Sequence, residues 1–573
     1  IKMKTKFSGI LTLLLALVVQ ISFAQEKTIS GTVTDDSGLP LPGVNIIVKS
    51  TTNGTQSDFD GNYSISTEVG QSLVYSYVGF DSQEKLVTAS SGMMNVTMAQ
   101  GETLDAVVLT GYGGATKERK SLGYAVTTLQ ADEIENKPES DVVRSLNGKV
   151  AGVQIVGNSG ATGSGTNFVI RGRSSINGSN QPLFIVDGVP FDSGTNQQTG
   201  FGGGNTVTSS RFLDLDPNNV ESVQILKGLS ASVLYGQQGR NGVVLITTKN
   251  GSNKDLNKKF EVTVNSSVYQ TEISNLADYQ NEYGQGADNT INSGYVGNWG
   301  ARFDAGLEVS HPYASFGNLF PEYDGLKIPY VAAPNNVKDF FRTGLGQSMS
   351  VNVAGSPGND GNTRYNLNFG YTTEDGYIRN NGLTRYNIGL GGSTKLSNKF
   401  SFNGTANFSS TRVNTPPIAA NNAGGALSIF TRTLFMPRNL DLNNIPYENP
   451  NDRSSVYYRT DQENPRWLSN YAGSEQKTNR FYGKLGASYE ISDNASISYR
   501  FGLDTYNETQ EFKAARGSVT APYTTGYLRT TSGTNFIYDH NLNFSFNNIE
   551  LADEFSLTTQ LGFNARRDTY EQF

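Results

Sequence analysis

At 573 residues, with 36% hydrophobic and 17% charged side chains, the chain has room for several domains but a modest apolar content for one large globular core. A formal net charge of -7 excludes the basic stripe that a phosphate backbone requires, so nucleic acid is not an expected partner, and the lack of any cysteine excludes thiol nucleophiles, cysteine zinc sites and disulfide staples. The 63 Gly, 29 Tyr and 30 Phe, beside only six Met, suit a β-rich chain with many turns.

In chain order, Lys2, Lys4 and Lys6 precede an apolar run from Ile10 to Ile21 and the small-residue end Ser22-Phe23-Ala24. Residues 1–24 therefore read as a secretory signal peptide, because the run is shorter than the ~20 residues a spanning helix needs. No comparably long apolar stretch follows, which leaves a closed β-barrel as the route into a membrane.

Residues 25–100 alternate and turn often. Ile29, Gly31 and Val33, then Val44, Ile46 and Val48, then Tyr63 and Ile65, then Leu73, Tyr75 and Tyr77 predict a small β-sandwich. Within it, Asp58, Asp60, Gly61 and Asn62 share a few letters with a calcium loop. The twelfth position is Val69 and strands flank it, so a structural turn is expected and no metal.

Residues 101–115 carry ETLDAVVLTGY, from Glu102 to Tyr112. Such an extended apolar run can add as a strand to a partner's sheet edge, where main-chain hydrogen bonds give affinity and alternate side chains give specificity.

Residues 116–250 mix short helices and strands. Val142, Val143 and Leu146 share a helical face entered through Ser140 and Asp141 and closed by Gly148; strands are predicted from Val153 and Ile155, and over Phe168–Gly172, Leu183–Val186 and Val243–Thr248. Gly160-Ala161-Thr162-Gly163-Ser164-Gly165 is followed by Thr166 and Asn167, not by the Lys and Ser or Thr of a phosphate loop, and reads as a plain loop. Gly228-Leu229-Ser230-Ala231-Ser232 lacks the closing glycine of a nucleophile elbow.

From residue 251 to 573 the period is two. Tyr365, Leu367, Phe369 and Tyr371 alternate with Arg364, Asn366, Asn368, Gly370 and Thr372, and the pattern recurs through Tyr386, Ile388 and Leu390, through Phe402, Ala406 and Phe408, and on to Phe555, Leu557, Leu561 and Phe563. Tight turns at Leu396–Asn398 and Ser492–Asn494 face extended connections at Thr271–Thr343, Arg412–Gln476 and Gln510–Ser532, the rhythm of a transmembrane barrel. About nine strands fit, an odd number, so an incomplete barrel is expected. In the long connections Trp299, Trp467, Tyr457 and Tyr458 are candidates for stacking on cargo, against the commoner role of packing a loop. His311 and His540 belong to no triad or metal-spaced cluster and read as solvated or interface residues. No catalytic residue, metal or cofactor is expected.

The stretches LDAVVLTGYG (104–113), SLNGKVAGVQI (145–155), IRGRSSINGSNQPLFIVDGVP (170–190) and VESVQILKGLSASVLYGQQGRNGVVLITTK (220–249) resemble the SusC/RagA branch of TonB-linked outer-membrane proteins. The sandwich ahead of them resembles the carboxypeptidase-regulatory-like domain. The resemblance implies a mainly β chain with that sandwich, an α+β plug and a transmembrane antiparallel barrel. It also implies import of oligosaccharides or peptides, driven by the periplasmic domain of TonB and shared with a SusD-like surface lipoprotein, in a Bacteroidetes-like Gram-negative outer membrane whose lipid contacts the strands, with the N-terminal domain in the periplasm.

Carried over residue by residue, the TonB box falls on Leu104, Asp105, Ala106, Val107, Val108, Leu109 and Thr110. The plug signature falls on Arg171, Gly172, Asp187, Gly188, Tyr235, Gly236, Gly239, Asn241 and Gly242, with a structural role: turns for the glycines, and contacts with the polar barrel wall for Arg171. The competing reading is an exported adhesion or scaffold protein of β-domains without a membrane barrel.

Overall fold

The computed structural model describes residues 26–573 apart from 36–37, 50, 52, 78–79, 81–82, 99–106, 111–114, 119–125, 136, 138, 158, 177, 195–208, 251–258, 358–361, 398, 419–427, 522 and 553–554. The signal peptide expected over 1–24 lies outside these residues. The chain divides into two compact units, one comprising residues 1–108 with 116–122 and the other 109–115 with 123–573.

In the first unit, alternation becomes a sandwich. Glu26–Asp35 pairs antiparallel with Asn62–Glu68 and parallel with Val96–Met98, and a second sheet orders Gly54–Gln56, Asn45–Val48, Ser72–Ser76 and Gln83–Leu86. Ile29, Val33, Val44, Ile46, Val48, Ile65 and Leu73 fill the space between the sheets. Two tyrosines share that core because their hydroxyls are satisfied: Tyr63 and Tyr75 meet at 2.6 Å, and Tyr63 donates to the Met94 carbonyl at 2.7 Å. The Asp58 turn is held by its own carboxylate, which accepts from the amides of Asp60 (3.0 Å) and Asn62 (2.8 Å), while Gly61 takes φ +74 where a side chain would strike the Val33 carbonyl.

The second unit begins with a five-stranded sheet in the order Val126–Gln130, Val220–Leu226, Val243–Thr248, Leu183–Val186, Val189–Phe191, beside a hairpin of Val153–Gly157 and Thr166–Ile170. Phe168, Phe184 and Phe212 pack ring to ring in its centre. Two expectations are corrected here. The predicted helix after Ser140 is only a 3-10 turn, Arg144–Leu146, because the Asp141 carboxylate accepts from the Val143 amide (2.8 Å) and the Thr166 hydroxyl (2.6 Å), fixing a local turn. The strand predicted over Phe168–Gly172 stops at Ile170, since Arg171 (φ +56) and Gly172 (φ +94) turn left-handed. Among the described residues the helices of this region are instead the short Ala131–Ile134 and Leu229–Tyr235, the latter between Gly228 (φ +73) and Gly236 (φ +61).

Beyond it stands one antiparallel sheet of nine strands in chain order: Glu261–Thr271, Gly344–Gly355, Thr363–Asp375, Gly382–Lys395, Phe400–Thr415, Ala472–Ser492, Ala495–Ala514, Tyr527–Ala552 and Phe555–Gln572. Among the described residues the first and last strands do not pair, so the sheet is a partial barrel. The long connections 272–343 and 416–471 leave from one end, here called outer, and the tight turn at 493–494 closes the other. The third extended connection is shorter than expected, 515–526, because pairing continues through Phe512 with Arg529 to Ala514 with Tyr527.

The polarity of this sheet is inverted relative to a soluble protein. Phe369, Ile388, Phe408 and Phe481 lie in register across four neighbouring strands and are 39 to 47% exposed. Offset by one residue, Asn368, Asn387, Asn407, Ser409 and Arg480 are no more than 6% exposed. Since a one-residue step flips a strand's side chain to the other face, the apolar face looks out and the polar face looks in, which suits hydrocarbon outside and a wet lumen. The 21-residue Ala472–Ser492 strand, at about 3.3 Å per residue and ~45° tilt, rises on the order of 50 Å, about twice the ~25 Å apolar band of such barrels. The longest strands therefore exceed such a band by about half their length.

Candidate functional site

The α+β domain of the second unit packs on the polar face of the strand wall, and the contact is built from charges. Arg480, fully buried on the Ala472–Ser492 strand, donates from Nε and Nη2 to both Asp504 carboxylate oxygens (2.7 and 2.6 Å). It also donates to the domain through the Asp192 carbonyl (3.0 Å) and the Asp214 carboxylate (3.4 Å), with its guanidinium 3.3 Å from the centre of the Phe191 ring. Arg211 reaches the other way, from the domain to Glu508 and the Thr478 hydroxyl of the wall, each at 2.7 Å. Although burial opposes its charge, Asp214 and Glu508 beside it hold its pKa above the ordinary arginine value.

Arg385 provides a second anchor. Its Nη1 lies within hydrogen-bond distance of three carbonyls of the domain, Ser140 (2.6 Å), Leu213 (2.9 Å) and Leu215 (3.1 Å), so its two hydrogens are shared among three acceptors. Asn387 donates to Asp216 at 2.6 Å, Asn219 to Asn407 at 2.9 Å, and the Thr405 hydroxyl to Asp187 at 2.8 Å. The glycine-rich loop after Gly160 docks here too: the Thr162 amide donates to Asn381 (2.9 Å) and its hydroxyl to Glu374 (2.8 Å). Burying so many charges is tolerable only because each is met by an opposite charge or hydrogen bond.

Most of the signature residues make contacts within the domain, and Asp187 and Gly188 also meet the wall. Asp187, at φ +51, accepts from the amide and hydroxyl of Thr248 (2.9 and 2.6 Å) as well as from Thr405. Gly188 lies against the Arg500 guanidinium, where a Cβ would collide, and a Cβ on Gly239 would strike the Ala231 carbonyl. Gly242, at φ +96, passes the Ile170 side chain. Asn241 fastens Ser179 and Gln181 through their carbonyls (2.9 and 3.2 Å), and Tyr235 is buried. Arg171 is the exception: its side chain is exposed beside Gly228, and the wall contacts expected of it are made by Arg211, Asp187, Asp216 and Asn219. The sequence signal for the missed wall residues was a charged side chain at the inward parity of an alternating strand, as at Arg385 and Arg480.

Two of the aromatic candidates pack inside the long connections. Trp467 is fully buried and donates from Nε1 to the Arg453 carbonyl (2.8 Å), and Tyr457 is buried beside Tyr458 with ring centres 4.5 Å apart. They are core to the outer connections, which build their own apolar clusters, the commoner of the two roles weighed for them. Tyr458 is half-buried, whereas Trp299 is 65% exposed. His311 is not solvated: it stacks on Tyr323 at 4.0 Å and accepts from the Tyr313 amide at 3.1 Å, and burial lowers its pKa. His540 lies on the outward side of its strand near the Tyr499 hydroxyl, at 2.7 Å.

Of the run at 104–110, Val107–Thr110 is a strand in a two-stranded sheet with Ala115–Glu118, and among the described residues no third strand joins it. Leu104, Asp105 and Ala106 lie outside the described residues. A cavity of about 910 Å³ opens between the domain and the outer halves of the last three strands, lined among others by Asp192, Arg240, Tyr506, Glu508, Arg529 and Arg566.

Residues 118–243 match the TonB-dependent Receptor Plug Domain, and residues 29–109 match the CarboxypepD_reg-like domain. The chain is 37% identical over 249 residues to the TonB-dependent receptor SusC of Bacteroides thetaiotaomicron, covering 43% of this chain and 23% of SusC. It is 31% identical over 383 residues to the TonB-dependent receptor P39 of Formosa agariphila, covering 66% of this chain and 32% of P39. Among solved structures, the RagAB peptide importer in its open-open state aligns with a TM-score of 0.61 at 20% identity, covering 81% of this chain and 49% of that one, a likeness of fold. The chain thus spans about a third or less of these curated relatives and about half of the solved chain.

Proposed function

We propose that this chain, a SusC/RagA-type TonB-dependent receptor by its plug, its CarboxypepD_reg-like domain and its fold, imports oligosaccharides or peptides across the outer membrane. The observation that carries the reading is the inverted sheet with a plug bonded to its polar face. Apolar side chains turned outward in register are costly in water and favourable in hydrocarbon, and a polar lumen corked by a hydrogen-bonded domain needs work to open. That work would come from TonB in the periplasm, pulling on the segment 104–110 after it adds to TonB's sheet edge. The sandwich then lies in the periplasm, and the long outer connections receive a SusD-like lipoprotein. Trp299, exposed in one of those connections, is the aromatic best placed to meet cargo. The plug–wall contact suits release, because its charges and amides can exchange protein partners for water as the plug moves.

Cell fractionation tests this reading. The receptor is expected in the outer-membrane fraction, extracted only by detergent, with a folded band on gels that shifts on boiling. Recovery in the soluble periplasmic or secreted fraction would instead favour an adhesion or scaffold protein.

A further inference from the structure

The cavity above the plug carries charges of both signs, but among the described residues only the positive sign is left unmet. Each carboxylate is already engaged. Asp568 takes two bonds from Arg566 (2.6 and 2.5 Å), Glu508 meets Arg211 at 2.7 Å, and Asp192 accepts from the Tyr506 hydroxyl at 2.6 Å and the Gly194 amide at 3.0 Å. Arg566 is committed in turn, to Asp568 and to Gln238 at 3.1 Å.

Arg240 and Arg529 differ. Arg240 comes from the plug, in the 3-10 segment Gly236–Asn241. Arg529 comes from the wall, at the inward parity of Tyr527–Ala552, two and six residues before the lining residues Thr531 and Asn535. Both side chains are exposed, both line the same cavity, and neither is paired with a carboxylate among the described residues. A neutral sugar chain would gain little from two unpaired guanidiniums, whereas a carboxylate would take from each a charge-assisted, two-pronged hydrogen bond.

We infer that the cargo is an anionic oligomer whose carboxylates bind Arg240 and Arg529, one presented by the plug and one by the wall. The inference rests on the import reading above. A ligand bridging the two residues is held by both bodies that must separate, so its binding is coupled to the position of the plug. The shared chemistry is the carboxylate, which a uronate oligosaccharide or an acidic peptide would supply.

The test is direct binding to the purified full-length receptor in detergent, using a uronate tetrasaccharide, a neutral hexose tetrasaccharide and an acidic tetrapeptide as probes. At least one anionic probe is expected to bind about tenfold or more tighter than the neutral one, and which of them does so identifies the source of the carboxylate. Raising salt from 0.05 to 0.5 M should weaken it. Arg240→Gln with Arg529→Gln should remove the preference while the folded gel band is retained. A neutral probe that binds as tightly as both anions, or an anion preference unchanged in the double variant, would overturn the inference. Import is read separately in cells: nutrient uptake indifferent to residues 104–110 would count against the transport reading without touching the anion preference.

Discussion

Deletion of residues 104–110 is expected to abolish capture of the periplasmic domain of TonB and growth on any nutrient that the intact receptor supports, while the folded, heat-modifiable band and its yield in the outer membrane stay unchanged. The reason is the geometry of Val107–Thr110, a strand whose sheet has only two members among the described residues and therefore an open edge. Recognition through such an edge depends on main-chain donors, each worth about 0.5–1.5 kcal/mol net. A milder variant separates this mechanism from simple loss of chain length. Val108→Pro removes one donor and obstructs its neighbour, so binding of TonB should weaken on the order of 10- to 100-fold. Unaltered TonB capture by the deletion would remove the box from the mechanism, and loss of the folded band would reassign the segment to structure.

The second large effect is expected at Arg480. Removing it leaves Asp504 buried with its charge uncompensated, and leaves Asp214 to Arg211 alone. Breaking a buried pair from one side costs about 3–5 kcal/mol, so Arg480→Met should lower the temperature at which the folded band is lost. The same variant gives up the bond to the Asp192 carbonyl and the stack on Phe191, so protease should reach the plug more readily. Adding Asp504→Asn removes the stranded charge and keeps an acceptor for the Asp192 amide, which it now binds at 3.1 Å. The double variant should recover at least half of the loss, as expected for coupled neighbours. A wild-type melting temperature for Arg480→Met would show that these charges are not buried between plug and wall.

The wall was legible in the sequence because period two is a repeated local signal: Phe369, Ile388, Phe408 and Phe481 sit in different strands, yet each alternates with polar neighbours within its own. What the plug touches was not legible, since those bonds join residues far apart in the chain, Asn219 and Asn407 being 188 positions apart. Arg171 was assigned a wall contact by its place in a motif, but its left-handed backbone leaves the side chain exposed beside Gly228. Trp467 takes the loop-packing role rather than the cargo-facing one. An aromatic in a long connection looks exposed until the connection is seen to form its own core, here with Asn464 capping the short Pro465–Tyr471 helix that carries the indole inward. Val142 and Val143 suggested a helix face, whereas Asp141 had already fixed the turn.

Because the chain contains no cysteine, single cysteines can report which solvent each face meets. Ile388→Cys and Leu485→Cys, on the outward face, carry an environment-sensitive fluorophore in receptor reconstituted into phosphatidylcholine bilayers. Brominated acyl chains should quench both labels strongly and aqueous iodide should quench neither. Strong iodide quenching with no effect of brominated lipid at both positions would mean that the outward apolar rows meet water, and the strands would then not be a membrane wall.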